Sequence, residues 1–66
     1  MKIEIGKKYI TRDGTRTVTI EAESTYRGTF RMQGEDDLGR VTWRSPKGRF
    51  TTHLHKHDLV AEANEA

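Results

Sequence analysis

The sequence contains no cysteine, a single proline and no long apolar run. Without cysteine, the chain can form neither a disulfide nor a zinc site built on thiolates, which fits a reducing cytosol. No stretch approaches the roughly eighteen apolar residues of a membrane span, and the start MKIEIGKKYI lacks the apolar core of a signal peptide. These absences predict a soluble cytoplasmic protein that does not engage membranes.

The chain is also short. Its 66 residues make one domain, and a domain of this size buries only roughly 60% of the surface that its unfolded chain exposes. Disulfides being excluded, a metal or self-association remains open as the source of extra stability. A catalytic cleft needs walls supported by a second layer of chain, and we expect no spare volume for one. The sequence therefore predicts no enzyme and no cofactor.

The charge is mildly positive and uneven. Twelve Lys and Arg against ten Asp and Glu give a net charge of +2, and two of the acids lie in the C-terminal AEANEA. A segment so polar buries little, so we expect residues 1–60 to form a single β domain and residues 61–66 to form a frayed acidic tail. The basic body tolerates an anionic partner without requiring one.

Apolar residues recur with a period of two, as in strands with one buried face. Segments of this kind, separated by turn signals such as Asp-Gly, are KKYIT, RTVTIEAE, STYRGTFRMQ, RVTWR and RFTTHLH. They predict an all-β fold, a small antiparallel five-stranded barrel or curled sheet. MKIEI is expected to add an edge strand, GEDDLG to be a loop, and HDLV to form a connector or a short closing strand.

The same alternation divides the side chains between a buried face and an exposed face. Those expected in the core are Ile5, Tyr9, Val18, Ile20, Phe30, Met32, Val41, Trp43, Phe50, Leu54 and Leu59. Those expected opposite the core, on three consecutive strands, are Arg27, Arg31, Arg40, Arg44 and Arg49. Because guanidinium groups bind phosphates and carboxylates bidentately, this arginine face is the candidate surface for binding protein or nucleic acid.

Three interpretations of the arginine face stay open. Small barrels that bind single strands carry exposed aromatic residues, whereas Phe30, Trp43 and Phe50 are expected inside. A basic face without stacking aromatic residues therefore favours two interpretations over readout of bases. One is contact with the phosphates of a nucleic acid, and the other is contact with a protein. The third interpretation is a solvated face on which acidic residues pair with some of the arginines.

Alternating histidines, His53, His55 and His57, precede Asp58 near the C-terminus. On a strand, His53 and His55 would share a face and could hold a zinc or copper ion. A structural zinc site needs about four ligands, and no second cluster supplies the others. We therefore expect the histidines to form the solvent-facing side of the last strand, without a metal and without a catalytic role.

Three motifs, YITRDG, GRVTWRSPKGRF and HDLV, are spaced along most of residues 6–60. Their order resembles that of a family of short proteins encoded by tailed bacteriophages and prophages. The residues that carry the resemblance are Gly6, Tyr9, Thr11, Arg12, Asp13, Gly14, Trp43, Gly48, Asp58, Leu59 and Val60. The resemblance implies a phage origin, a setting in the host bacterial cytoplasm and an SH3-like shape.

Binding is the function that the sequence favours. The leading expectation is a non-enzymatic protein that engages a host or phage protein, and the resemblance implies modulation of a host process such as defence. The alternative is a nucleic-acid-binding accessory protein that uses the arginine face. A homo-oligomer formed through an edge strand at residues 2–5 is a further expectation.

Overall fold

A computed structural model describes residues 2–63, which form one antiparallel sheet. Its strands are β1 (Lys8–Thr11), β2 (Thr17–Glu23), β3 (Met32–Asp36), β4 (Val41–Arg44) and β5 (Leu59–Glu62). The order across the sheet is β4-β3-β2-β1-β5, so β4 and β5 are the edges. The all-β prediction is confirmed, as an open five-stranded sheet that does not close into a barrel within residues 2–63.

The β1–β2 hairpin follows the Asp-Gly signal. Gly14 has a φ of 72°, a conformation that glycine adopts without a steric penalty. The Asp13 carboxylate accepts hydrogen bonds from the Thr11 hydroxyl at 2.7 Å and from the Thr15 amide at 3.1 Å. These residues build the turn, as the sequence predicted.

A three-residue turn between β3 and β4 sets the register of the edge strand. The Asp36 amide donates to the Arg40 carbonyl at 2.9 Å, and Gly39 closes the turn with a φ of 81°. Met32 therefore lies opposite Arg44 in the ladder. Residues that lie opposite each other share a face, and Met32 is buried, so Arg44 points inward.

The prediction for β4 is therefore wrong. Arg44 and Thr42 lie on the inner face of the sheet, whereas Val41 and Trp43 lie on the outer face. A shift of one residue moves every side chain of a strand to the other face, and the register set by the turn prevails over the apolar alternation of Val41 and Trp43.

The core lies on the inner face and is smaller than the sequence predicted. Its members are Ile3, Tyr9, Val18, Ile20, Met32 and Leu59. Ile3 was not expected there. Of the residues predicted to be inside, Ile5, Val41 and Leu54 are exposed, and Phe30, Trp43 and Phe50 are half-buried.

Two segments without strands cover the inner face. Residues 2–7 form no strand, contrary to the predicted edge strand, yet the Ile3 amide donates to the Pro46 carbonyl at 2.9 Å. Residues 45–58, called the covering loop below, connect β4 to β5. The predicted strand RFTTHLH lies within this loop and is also wrong.

Other boundaries differ from the sequence prediction as well. Residues 24–31 form turns, so only the end of STYRGTFRMQ is a strand, whereas Gly34–Asp36, expected in a loop, belongs to β3. HDLV enters the closing strand β5, which includes Ala61 and Glu62. The tail expected from residue 61 is thus part of the sheet through residue 62, and residues 64–66 lie outside the described residues.

Candidate functional site

Asp58 fixes the covering loop from within. It is 1% exposed, and its carboxylate accepts hydrogen bonds from the amides of Phe50 at 2.8 Å and His55 at 3.1 Å. The Arg12 guanidinium adds a contact at 3.3 Å, and that of Arg49 lies at 4.0 Å. One buried carboxylate therefore ties both halves of the loop to Arg12, the residue that follows β1.

Acid is expected to destabilise the protein through these contacts. Burial opposes ionisation of Asp58, but the Phe50 and His55 amides keep its pKa below the ordinary value, and the Thr11 hydroxyl does the same for the pKa of Asp13. Because the unfolded carboxylates bind protons first, their contribution is complete above about pH 4 and is lost as the pH falls below it.

Two other groups shape the pH profile at higher pH. Burial lowers the pKa of His57, so stability begins to decline gently below about pH 6.5. Burial and the neighbouring Glu35 raise the pKa of Glu21, which opposes this trend in weak acid. Thermal unfolding between about pH 7 and pH 2 should show the steepest loss below about pH 4. Asp58→Asn should flatten that loss, and an unchanged slope would contradict the role of Asp58.

The histidines do not lie on a strand. The rings of His55 and His57 are 5.0 Å apart and pack against Phe50, and the His57 amide donates to Nδ1 of His55 at 3.0 Å. His53 is exposed. Within residues 2–63, no group of three or more His, Asp or Glu side chains is placed to hold a metal ion. The predicted solvent-facing strand is wrong, since His55 and His57 are half-buried.

A cleft of about 280 Å³ opens between the inner face and the covering loop. The sequence predicted no such volume. Its apolar walls are Val18, Val41 and Phe50, and polar groups are contributed by Thr42, Arg44 and His57. Arg16 and Arg40 also line it. This space, called the inner cleft below, exists because the register of β4 places polar side chains where the sequence predicted apolar ones.

Arg44 is the most unusual residue of the inner cleft. It is 3% exposed; its Nε donates to the His57 carbonyl at 2.9 Å and its Nη1 to the Thr42 hydroxyl at 2.6 Å. No carboxylate of the described residues lies within ion-pair distance of it. Burial lowers the pKa of Arg44, and the charges of Asp36 and Asp58 oppose that shift. The site thus holds a buried cation that has no direct counter-ion.

The predicted arginine face is not formed. Of its members only Arg44 belongs to a strand, and Arg44 is buried. Arg31 pairs with Glu23, and Arg40 pairs with Asp36 at 3.2 Å. Arg49 lies in the covering loop near Asp58, and Arg27 lies in the turn between β2 and β3. Arg40 and Arg44 line the inner cleft, whereas the other three predicted arginines do not, so the five guanidinium groups form no common face.

The outer face of β4 carries the largest aromatic group of the chain. The Arg27 guanidinium stacks over the Trp43 ring at 4.1 Å, and Nε1 of Trp43 is buried without a hydrogen-bond partner among residues 2–63. Tyr26, 96% exposed, lies next to Arg27 in the chain, and Val41 is 46% exposed. These four residues are called the β4 surface below. The sequence missed it because Trp43 was predicted to point inward.

The free edge of β4 adjoins this surface. Along an antiparallel ladder, hydrogen-bonded residue pairs alternate with pairs that are not hydrogen-bonded. Asp36 and Arg40 form a hydrogen-bonded pair, so the next such pairs are Gly34–Thr42 and Met32–Arg44. The amides of Val41 and Trp43 therefore face away from β3. Within residues 2–63 no further strand pairs with β4 on that side.

No family model, curated protein or solved structure matches this chain. Residues 2–63 include no helix long and apolar enough to span a membrane. Inference about function therefore depends on the inner cleft, the β4 surface and the open edge.

Proposed function

We propose that the protein is a non-enzymatic binding module that engages an extended, acidic segment of a partner protein along the edge of β4. The observation that carries this proposal is the pair of outward-facing amides, those of Val41 and Trp43, beside the stacked Arg27 and Trp43 side chains. The resemblance to phage-encoded proteins adds a host or phage protein as the source of the segment.

An extended segment binds such an edge by adding a strand to the sheet. Main-chain hydrogen bonds to the Val41 and Trp43 amides supply affinity, and alternate side chains of the segment lie over the two faces. Tyr, Trp and Arg are the residue types that dominate protein interfaces energetically. The β4 surface presents one of each, with the Arg27 guanidinium already held by the Trp43 ring and by the Phe30 carbonyl at 3.1 Å.

Charge favours an acidic segment at this position. Arg27 and Arg40 are exposed near the two ends of β4, and the chain is net positive. Acidic residues gather instead on the outer side of β2 and β3, where Glu21, Glu35 and Asp37 line a shallow depression. Repulsion there would keep an acidic segment at the β4 edge.

Removal of one edge amide tests the proposal. Val41→Pro deletes an outward N–H while keeping the bonds to β3, so the fold should persist and capture of the partner from bacterial lysate should fall roughly tenfold or more. Val41→Ala, which keeps the amide, should retain most of the capture. Arg27→Glu should abolish capture, whereas the matched reversal Arg31→Glu should not.

Other outcomes would assign a different function. Capture that is insensitive to both Val41→Pro and Arg27→Glu would overturn the β4 site. Binding of random single-stranded DNA or RNA that weakens by orders of magnitude as salt rises would support the nucleic-acid alternative instead. A solution mass of two chains, lost in Val41→Pro, would mean that the partner is a second copy of this chain.

A further inference from the structure

We propose that the inner cleft binds a carboxylate group carried on a small apolar body, with Arg44 and Thr42 as its ligands. This inference does not depend on the proposed function, because its ligands Thr42 and Arg44 lie on the inner face, whereas Trp43 and the stacked Arg27 lie on the outer face. Val41, at the sheet edge, is the one residue of the β4 surface that also lines the cleft.

Unused donors on Arg44 carry the inference. A guanidinium group offers five N–H donors, and residues 2–63 accept two of them, at the His57 carbonyl and the Thr42 hydroxyl. The remaining donors belong to a side chain that is 3% exposed and lines the cleft. A buried cation with unmatched donors is costly, and a bound oxyanion would supply both the charge and the acceptors.

Thr42 completes the anion site. Its hydroxyl oxygen accepts from Nη1 of Arg44 at 2.6 Å, and its own proton has no acceptor among residues 2–63. One oxyanion can therefore take a hydrogen bond from the guanidinium and another from the hydroxyl. The half-buried Asp36 carboxylate lines the same cleft, paired with Arg40. Its negative charge disfavours a second charge on the ligand, so a monoanionic carboxylate suits the site better than a phosphate dianion.

The walls define the rest of the ligand. Val18, Val41 and Phe50 are apolar, and the volume of about 280 Å³ lies at the small end of ligand sites. His57, beside Phe50, adds an imidazole edge. A carboxylate on an aromatic or branched apolar group matches this lining, whether it is a free acid or the C-terminal residue of a peptide.

Titration followed by NMR tests the inference. Benzoate is expected to shift the Arg44 Nε–H and His57 resonances of the intact protein saturably, with a dissociation constant in the millimolar range or tighter. Thr42→Val, which keeps the volume of the side chain, should weaken binding roughly tenfold, and Arg44→Gln should abolish it. Arg31→Gln, which removes a guanidinium outside the cleft, should leave it unchanged.

Further probes separate the sources of the carboxylate. Acetyl-Gly-Phe with a free C-terminus, compared with its amide, shows whether a peptide terminus occupies the site. Binding of benzoate or of the free-terminus peptide, weakened by Thr42→Val, supports the inference even if Arg44→Gln fails to fold. It is overturned if neither probe gives a saturable shift, if Thr42→Val changes nothing, or if inorganic phosphate binds as tightly as benzoate.

Discussion

Asp58→Ala is expected to lower the free energy of unfolding by about 2–5 kcal/mol, because it leaves two backbone amides without their acceptor at about 1–3 kcal/mol each. The amides of Phe50 and His55 lose their acceptor, and Arg12 loses its ion pair. A domain of 66 residues has a total stability of only about 3–10 kcal/mol. Urea unfolding, followed by the fluorescence of Trp43, the single tryptophan, measures the loss.

Two further variants determine whether burial causes the effect. Asp58→Asn keeps the shape and one acceptor oxygen, so its loss should be smaller than that of Asp58→Ala. Asp37→Ala removes an exposed carboxylate that pairs with Arg16 at 3.9 Å, and it should change stability by about 0.5 kcal/mol or less. If Asp58→Ala and Asp37→Ala proved equally mild, Asp58 would not hold the covering loop.

Asp58 also explains why the sequence pattern did not predict the covering loop. RFTTHLH alternates as a strand does, but the amides of Phe50 and His55 donate to the Asp58 side chain and so are not free to pair with a neighbouring strand. This contact depends on where the chain returns after a long loop. The alternation of neighbouring residues carries no information about that position. Local turn chemistry, in contrast, was predictable at Asp13-Gly14, and the alternation of β2 correctly placed Val18 and Ile20 inside.

The register of β4, in contrast, can be predicted from the sequence. Asp36 before a three-residue turn that ends in Gly39 is a hairpin signal, and counting outward from it pairs Met32 with Arg44. Given that Met32 is inside, Arg44 must be inside as well. The alternation of Val41 and Trp43 predicts the opposite register, and that prediction is wrong because the turn sets the pairing.

One hairpin register therefore positions both proposed binding sites. It directs Thr42 and Arg44 into the inner cleft and Val41 and Trp43 to the outer face. Gly34 lies opposite Thr42, and its lack of a side chain leaves room for Val18 on the inner face. A Cβ at position 34 would lie 2.5 Å from Cγ1 of Val18. A single edge strand thus contributes to two chemically different surfaces.

Gly48→Ala is expected to be the most damaging glycine substitution in the turns. Gly48 has a φ of 88°, and an added Cβ would lie 2.9 Å from the Leu59 carbonyl oxygen and 3.3 Å from its Cβ. The left-handed conformation costs about 1–2 kcal/mol for alanine, and the clash with β5 adds about 1–3 kcal/mol. The clash also disturbs the hydrogen bond from the Leu59 amide to the Gly48 carbonyl, 2.8 Å long. Urea unfolding should therefore show a loss of about 2–5 kcal/mol.

Gly14→Ala separates the cost of the left-handed backbone conformation from the cost of the clash with β5. Gly14 has a φ of 72°, but a Cβ there would meet no atom of another residue within 4 Å. Its substitution should therefore lower the free energy of unfolding by the conformational part alone, about 1–2 kcal/mol. The difference between the two variants measures how rigidly the covering loop is held against β5. Equal losses would mean that the loop yields to the added methyl group, and Gly48 would then be needed only for its backbone conformation.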